Sequence, residues 1–384
     1  MKNVLFILKY PLDEDYSIKN KADGQMSAVQ ELGNNSLFLG YDHKYFYLFK
    51  NGNKRIIKKI KFRNMPGYSH TKVFYDLFDC VKRVLELENI DVVYKRLCPL
   101  SYTGYKMIKA IKKHNAKLIV EIPTYPVESE KPRNFFRRIY TYYSEFWRKK
   151  SVKHVDLYTV IGKEAHYYNG KPAINIVNGV DVKNTPLKTF QFSEDGKIHI
   201  LGLASMCDWQ GFDRVISGIN QLTNEEKKDF ILDLVGSDGD GSLRKWKKMV
   251  DDNNLNEYVK FHGFKSGKEL DDIFKTATIG LAPLANHRKL ADIVSYSLKV
   301  REYMCRGLPF IYAWDDPSIK GNESYVMRVN SDETFIDMHQ VKKFVERIKE
   351  NPKHIAEMRA NAIENMSWNK EYIKIFNKIS EIEE

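Results

Sequence analysis

Ile198-His199-Ile200-Leu201-Gly202-Leu203-Ala204 is a short, almost continuous apolar run. It follows a Thr185-Pro186 step and the polar stretch 193–197. Such a run, bounded by polar residues, reads as a strand covered on both faces. It opens a series, because further apolar runs follow at 230–235, 259–262, 279–282 and 310–313. Upstream lies a comparable series at 4–8, 36–39, 91–94, 117–122, 157–161 and 174–177. Helical periodicity separates many of them, as in 75–87 and 212–222. Strand–helix alternation predicts parallel sheets of the Rossmann type. Because the series starts twice, two domains are expected with a boundary near residue 187. These are a first domain over 1–187, a second over 188–366, and a tail, 367–384, whose helical spacing lets it return to the first. Asn51-Gly52 between two strand-like runs predicts a hairpin excursion.

The bulk composition agrees. A chain of 384 residues with 43% hydrophobic residues can fill two cores, so disorder is excluded as the default. Lys and Arg number 62 against 50 Asp and Glu, and the net charge of +12 points to anionic partners. Cys80, Cys98, Cys207 and Cys305 form no CxxC pair, which argues against a zinc site or disulfide framework. The apolar start at 4–8 is too short for a signal peptide, and no run is long enough to span a bilayer. A cytoplasmic protein is the expectation.

Two Rossmann-like domains leave a cleft at the carboxyl ends of their strands, where ligands bind. The segments that follow strands are therefore the candidates. Ser297-Leu298-Lys299-Val300-Arg301-Glu302 opens a helix that Gly307 ends and Pro309 follows. Its free N–H groups, with Lys299, would seat a diphosphate, and Glu302 could accept from ribose hydroxyls. An ordinary amphipathic helix has the same spacing. Trp209-Gln210-Gly211-Phe212-Asp213-Arg214 joins the first strand of the second domain to its first helix. There Gly211 permits close approach and Arg214 could reach a phosphate, or Arg214 could simply pair with Asp213. Asn178-Gly179-Val180-Asp181 reads as a tight turn between domains. Glu121, with Pro123, Thr124, Tyr125 and Pro126 after it, ends a strand of the first domain. It is a candidate contact to a transferred sugar or acceptor, or a solvated glutamate.

Taken in order, these segments resemble glycosyltransferase family 4, retaining enzymes of the GT-B fold, over nearly the whole chain. Glu121–Pro126 with Leu298–Tyr303 looks like a subgroup found in bacterial capsule, O-antigen and exopolysaccharide clusters. The resemblance implies an α/β GT-B architecture and a second domain that holds a UDP- or GDP-sugar. It implies transfer to a glycan or lipid-linked glycan acceptor with retention of configuration. It gives Glu302 the ribose. Ser297, Leu298 and Lys299 face the diphosphate, and Gly263 and Phe264 line the base pocket. No metal cofactor is implied, and Asp238 and Asp240 are better explained by their glycine-rich exposed loop. Three positions depart from the family pattern. Val294 stands for its first glutamate, Gln210 for its diphosphate-binding lysine and Leu203 for its arginine. The missing charge must come from Lys299, Arg214, Arg288 or Lys289. With Glu121, Lys299 and Arg214 are the expected catalytic groups.

The segment 133–150, RNFFRRIYTYYSEFWRKK, mixes aromatic and basic residues at helical spacing. Phe136, Arg137, Arg138, Trp147 and Arg148, with Thr124 and Tyr125, are the expected acceptor or membrane contacts. An anionic membrane surface would suit such a helix, and so would a buried stripe packed on the sheet. Other readings of the whole chain are a non-catalytic GT-B-like protein, a GT-B sugar-nucleotide epimerase, and a nucleic-acid-binding protein. Dispersed basic residues and the absence of a recognisable nucleic-acid module weigh against the last.

Overall fold

The computed structural model describes residues 1–11, 16–42, 44–50, 53–60, 68–126, 135–189, 193–288 and 296–383. It divides into two compact units, Met1–Asp181 with Trp368–Glu384, and Val182–Ser367.

Unit one contains strands β1 (Asn3–Pro11), β2 (Asn35–Tyr41), β3 (Tyr45–Lys50), β4 (Asn53–Lys59), β5 (Val92–Arg96), β6 (Lys117–Tyr125), β7 (Leu157–Gly162), β8 (Tyr167–Tyr168) and β9 (Lys171–Asn175). Its helices before the crossover are α1 (Tyr16–Glu31), α2 (Tyr68–Leu87), α3 (Tyr102–Lys113) and α4 (Phe135–Ser151). Among the described residues the sheet order is β4-β3-β2-β1-β5-β6-β7-β9-β8. The central strands pair in parallel, while β3, β4 and β8 are antiparallel to their neighbours. Asn51-Gly52 lies outside the described residues, but Lys50 and Asn53 pair on either side of it. The core packs Leu5, Val93, Leu118 and Val160 of the sheet with Val81, Val84, Met107 and Ile111 of α2 and α3. Burial of each such side chain stabilises by about 1.5–3 kcal/mol.

Unit two contains β10 (Ile198–Leu203), β11 (Phe230–Val235), β12 (Val259–Gly263), β13 (Ile279–Leu281), β14 (Phe310–Tyr312) and β15 (Val326–Arg328). Its helices are α5 (Phe212–Asn220), α6 (Asn224–Lys227), α7 (Ser242–Asp252), α8 (Gly267–Thr276), α9 (Leu298–Arg306), α10 (Met338–Glu350) and α11 (His354–Asn365). The strand order is β12-β11-β10-β13-β14-β15, with every neighbour parallel. The order reverses between β10 and β13, and the carboxyl ends of those two strands are where such sheets bind ligands.

The last helix, α12 (Trp368–Glu383), belongs to unit one. Trp368, Tyr372, Ile375 and Ile379 form its buried stripe. A Cβ on Gly24 would stand 2.8 Å from the Trp368 ring and one on Gly179 2.7 Å from it. The Asn-Gly turn is thus a place where the backbone must approach an indole closely. Glu371 accepts from the Val177 N–H at 3.2 Å beside it. No described helix is long and apolar enough to cross a membrane.

Candidate functional site

Two loops meet at the switch point of unit two. After β10 the chain makes a short 3-10 turn, Asp208–Gln210, and Gly211 then opens α5 at φ 69° and ψ 25°. The loop after β13 hydrogen-bonds to it, Leu284 N–H to Gln210 O at 2.9 Å and Ala285 N–H to Trp209 O at 3.2 Å. A Cβ on Gly211 would lie 2.9 Å from that of Ala285. Both its left-handed backbone and this contact require glycine.

Helix α9 starts beside these loops. Ser297 occupies the N-cap position, but its side chain makes no capping hydrogen bond, contrary to the expected cap. The Ser297 hydroxyl thus does not compete for the first-turn N–H groups at Leu298 and Lys299, which carry a positive partial charge. Three features hold α9 in place. Buried Tyr303 directs its hydroxyl at Leu281 O, 3.3 Å away, and a Cβ on Gly280 would touch its ring at 2.7 Å. Arg301 pairs with Asp316 through both nitrogens and donates to Ser318 Oγ at 2.8 Å. Gly307, at φ 75°, ends the helix.

Lys299 is the distinctive group of the site. Its Nζ donates to Gln210 Oε1 at 2.7 Å and lies 5.3 Å from the Phe212 ring centroid. Among the described residues no carboxylate forms an ion pair with it. Burial pushes the amine down to about 7, with the nearby Cys207 thiol acting in the opposite direction. Gln210, one of the three departures noted in the sequence, is thus the residue that accepts from the lysine and orients it.

The other expected cations are committed elsewhere. Arg214 is buried, and it donates from Nε to Thr334 O at 2.6 Å and from Nη1 to Leu284 O and Asn330 O. With Nη2 on Asp332 Oδ1 at 3.2 Å, four of its donors hold loops together, so the expected phosphate contact is corrected to a scaffolding role. Arg288 forms a bidentate pair with Asp213 at 2.9 and 3.0 Å and a second pair with Glu333. Two carboxylates leave it no net charge to offer a diphosphate. Lys289 and Val294 lie outside the described residues.

Glu302 accepts from Arg306 Nε at 3.0 Å, while Arg306 also reaches Asp271 at 2.8 Å. Burial raises the Glu302 carboxyl, and Arg306 opposes the rise. Gly263 ends β12 at φ 69° with its carbonyl on the Gly236 N–H, and Phe264 after it is 51% exposed. Asp238 and Asp240 accept from the backbone N–H groups of Gly241, Ser242 and Asp208.

In unit one Glu121 is only 1% exposed. Its carboxylate accepts from Lys21 at 2.7 Å, Gln25 at 3.3 Å and Tyr94 at 2.7 Å. Burial alone would raise its pKa, but Lys21, Arg96 and these hydrogen bonds hold it below the ordinary value. The cavity beside it measures about 20 Å³, room for one water. Glu121 is thus neither a solvated residue nor a group open to a sugar. It is the centre of a buried network that also ties Lys21 to Asn178 at 3.0 Å. Lys21 and Gln25 were missed, although their i, i+4 spacing on α1 puts them on one face.

Thr124 and Tyr125 are half-buried, with Tyr125 edge-on to Tyr168 at 6.1 Å. Arg138 is exposed. Trp147 packs against Tyr102 and Tyr105 of α3 at 5.0 and 5.3 Å. Arg148 pairs with Glu145 and donates to the Tyr168 hydroxyl, so it turns inward rather than towards a partner. The side chains of Phe136 and Arg137 lie outside the described residues.

Residues 197–350, all within unit two, match the family described as Glycosyl transferases group 1. No curated protein matches the chain significantly. Solved structures resemble it over its full length. HepE from Anabaena, in complex with UDP, is 12% identical and has a TM-score of 0.59, covering 98% of this chain and 100% of its own. A sucrose-phosphate synthase from Thermosynechococcus elongatus is 12% identical with a TM-score of 0.68, covering 100% and 99%. A glycosyltransferase from Rickettsia africae is 14% identical with a TM-score of 0.61, covering 99% and 98%. The fold is that of GT-B glycosyltransferase structures. Together with the matched segment it supports a glycosyltransferase of the GT-B type.

Proposed function

We propose that this chain moves a glycosyl group from a UDP- or GDP-sugar to a glycan or lipid-linked glycan acceptor, with retention, in the synthesis of a bacterial surface polysaccharide. One observation supports this above the others. Among the described residues, a lysine amine without a carboxylate partner stands at a helix N-terminus that the Ser297 side chain does not cap, at the switch point of a parallel sheet. Such a place suits a diphosphate. HepE, a structural relative, is seen with UDP.

In this reading Glu302 accepts from the ribose, and Gly263 and Phe264 form one wall for the base. Catalysis consists mainly of stabilising charge on the departing diphosphate. The bond between the anomeric carbon and the β-phosphate oxygen breaks, and its electron pair leaves with the nucleotide. Lys299 and the first-turn amides of α9 meet that charge. The acceptor oxygen bonds to the same face of the sugar and passes its proton to the departing phosphate. No protein base is required, which accords with the closed network around Glu121. Positive charge from Lys299 and the helix end lets transfer proceed without a divalent metal.

Proton NMR of the product tests retention. An α-linked gluco- or galacto-configured donor is expected to give a product with the small H1–H2 coupling of an α-linkage, and for a manno-configured donor the one-bond C1–H1 coupling reports it. A β-linked product would contradict the same-face mechanism.

A further inference from the structure

Among its described side chains, helix α4 turns Ile139, Tyr140, Tyr142, Tyr143 and Phe146 outward, whereas Trp147 packs inward. Its inward positions are Ser144 and Ser151, both buried, with Trp147 half-buried between them. Ser144 Oγ accepts from the Leu100 N–H at 2.8 Å, which fixes α4 to the loop joining β5 and α3. Ile139, Tyr143, Phe146 and Lys150 follow the spacing i, i+4, i+7, i+11 and so share one stripe. That stripe faces solvent, with Ile139 52%, Tyr143 43% and Phe146 50% exposed. Tyr142, on its flank, is 77% exposed. Tyr102 of α3 extends the patch, and its N–H donates to the Tyr143 hydroxyl at 3.3 Å. A soluble helix normally buries its apolar stripe, and an exposed one of this size marks a contact surface.

The rim is cationic. Arg138, Lys149 and Lys150 of α4 and Lys106 and Lys109 of α3 are exposed. Helix α3 carries no acidic residue, and Glu145, the one carboxylate of α4, pairs with Arg148. Lys150 lies 4.6 Å over the Phe146 ring and Lys106 4.5 Å over that of Tyr102. An apolar centre of aromatic and aliphatic groups, with cations free to reach past it, matches the interfacial layer of an anionic bilayer. A nucleic acid would place its phosphates against the centre, which here is apolar. The patch adjoins the loop after β5, next to the β1–β5 reversal in the strand order of unit one.

We propose that the outward face of α3 and α4 seats unit one on an anionic lipid bilayer, and that the acceptor is a lipid-anchored one presented there. The acceptor half rests on the glycosyl-transfer reading, whereas the membrane half does not.

Vesicle co-sedimentation tests it, with phosphatidylcholine alone and with phosphatidylcholine plus phosphatidylglycerol. The full chain should sediment with the anionic vesicles only and be released by salt. Lys149→Ala combined with Lys150→Ala should weaken binding about twenty-five-fold, at about five-fold per basic residue. Phe146→Ser should weaken it by at least about ten-fold. Both variants alter exposed side chains, so their thermal stabilities and nucleotide-induced shifts should match those of the wild type. That control separates loss of the membrane contact from failure of the donor site. Three results would overturn the proposal: no binding to anionic vesicles at low salt, binding that both variants leave unchanged, or self-association without lipid that Phe146→Ser abolishes. The last would assign the face to a second copy of the chain.

Discussion

Lys299→Ala is expected to lower turnover by about 10²–10³, the usual cost of removing one preorganised donor to a developing anion. The loss should not come from unfolding. Burial holds the Lys299 amine at about 7 in the folded chain, against about 10.4 in an unfolded one. Between those values the unfolded chain binds the extra proton, so stability attributable to Lys299 rises with pH across that window. Below about pH 7 the desolvated charge of this half-buried lysine works against folding. The Ala variant should therefore melt no lower than the wild type at neutral pH. The same depression predicts coupling between donor and proton. At pH 8 the free amine is largely neutral, and a bound diphosphate would draw a proton onto it. Calorimetric titration in buffers of different ionisation enthalpy should show proton uptake at pH 8, little at pH 6, and none in the variant. Activity within a few-fold of wild type would remove Lys299 from the mechanism.

The largest expected effect on stability is at Arg301. Its side chain and that of Asp316 are both 0% exposed. Arg301→Ala would leave the carboxylate buried without its partner, at a cost of about 3–5 kcal/mol in chemical denaturation. Replacing both, Arg301→Met with Asp316→Leu, should recover most of the loss, because an apolar pair of similar volume needs no desolvation. Donor affinity should fall in the single variant as α9 loses its tie to the 315–318 loop. A single-variant cost below about 1 kcal/mol would mean that water reaches the pair.

Lys299 and Arg214 show what could be read from the chain and what could not. The parallel strands were legible because buried strands are written as continuous apolar runs, and 198–204 and 230–235 are such runs. The three-residue β14 fell within an expected run, whereas equally short β15, Val326–Arg328, carries too little pattern to stand out. Lys299 could be named because its place at a helix start is local. The scaffolding role of Arg214 could not. Its partners at Asn330, Asp332 and Thr334 lie more than a hundred positions along the chain, and a buried arginine is spelled like a phosphate-binding one. The burial of Glu121 was hidden for the same reason, its cation being supplied by Lys21 of α1, a hundred positions earlier. In α4 the periodicity revealed a stripe but carried no sign of whether it faced inward or outward. That depended on Ser144 and Ser151 fitting against neighbours, which only tertiary packing decides.

The central claim is that unit two holds a nucleoside diphosphate at the Gln210–Gly211 loop and the start of α9. The most direct test is thermal denaturation with UDP, GDP, ADP and CMP, without added metal. A diphosphate nucleotide at a hundred times its Kd should stabilise the protein by about 2.7 kcal/mol. One of them should do so in the wild type, much less in Lys299→Ala and in Glu302→Ala, and fully in Arg138→Ala. No shift with any nucleotide, or a shift that Lys299→Ala and Glu302→Ala leave intact, would contradict the account.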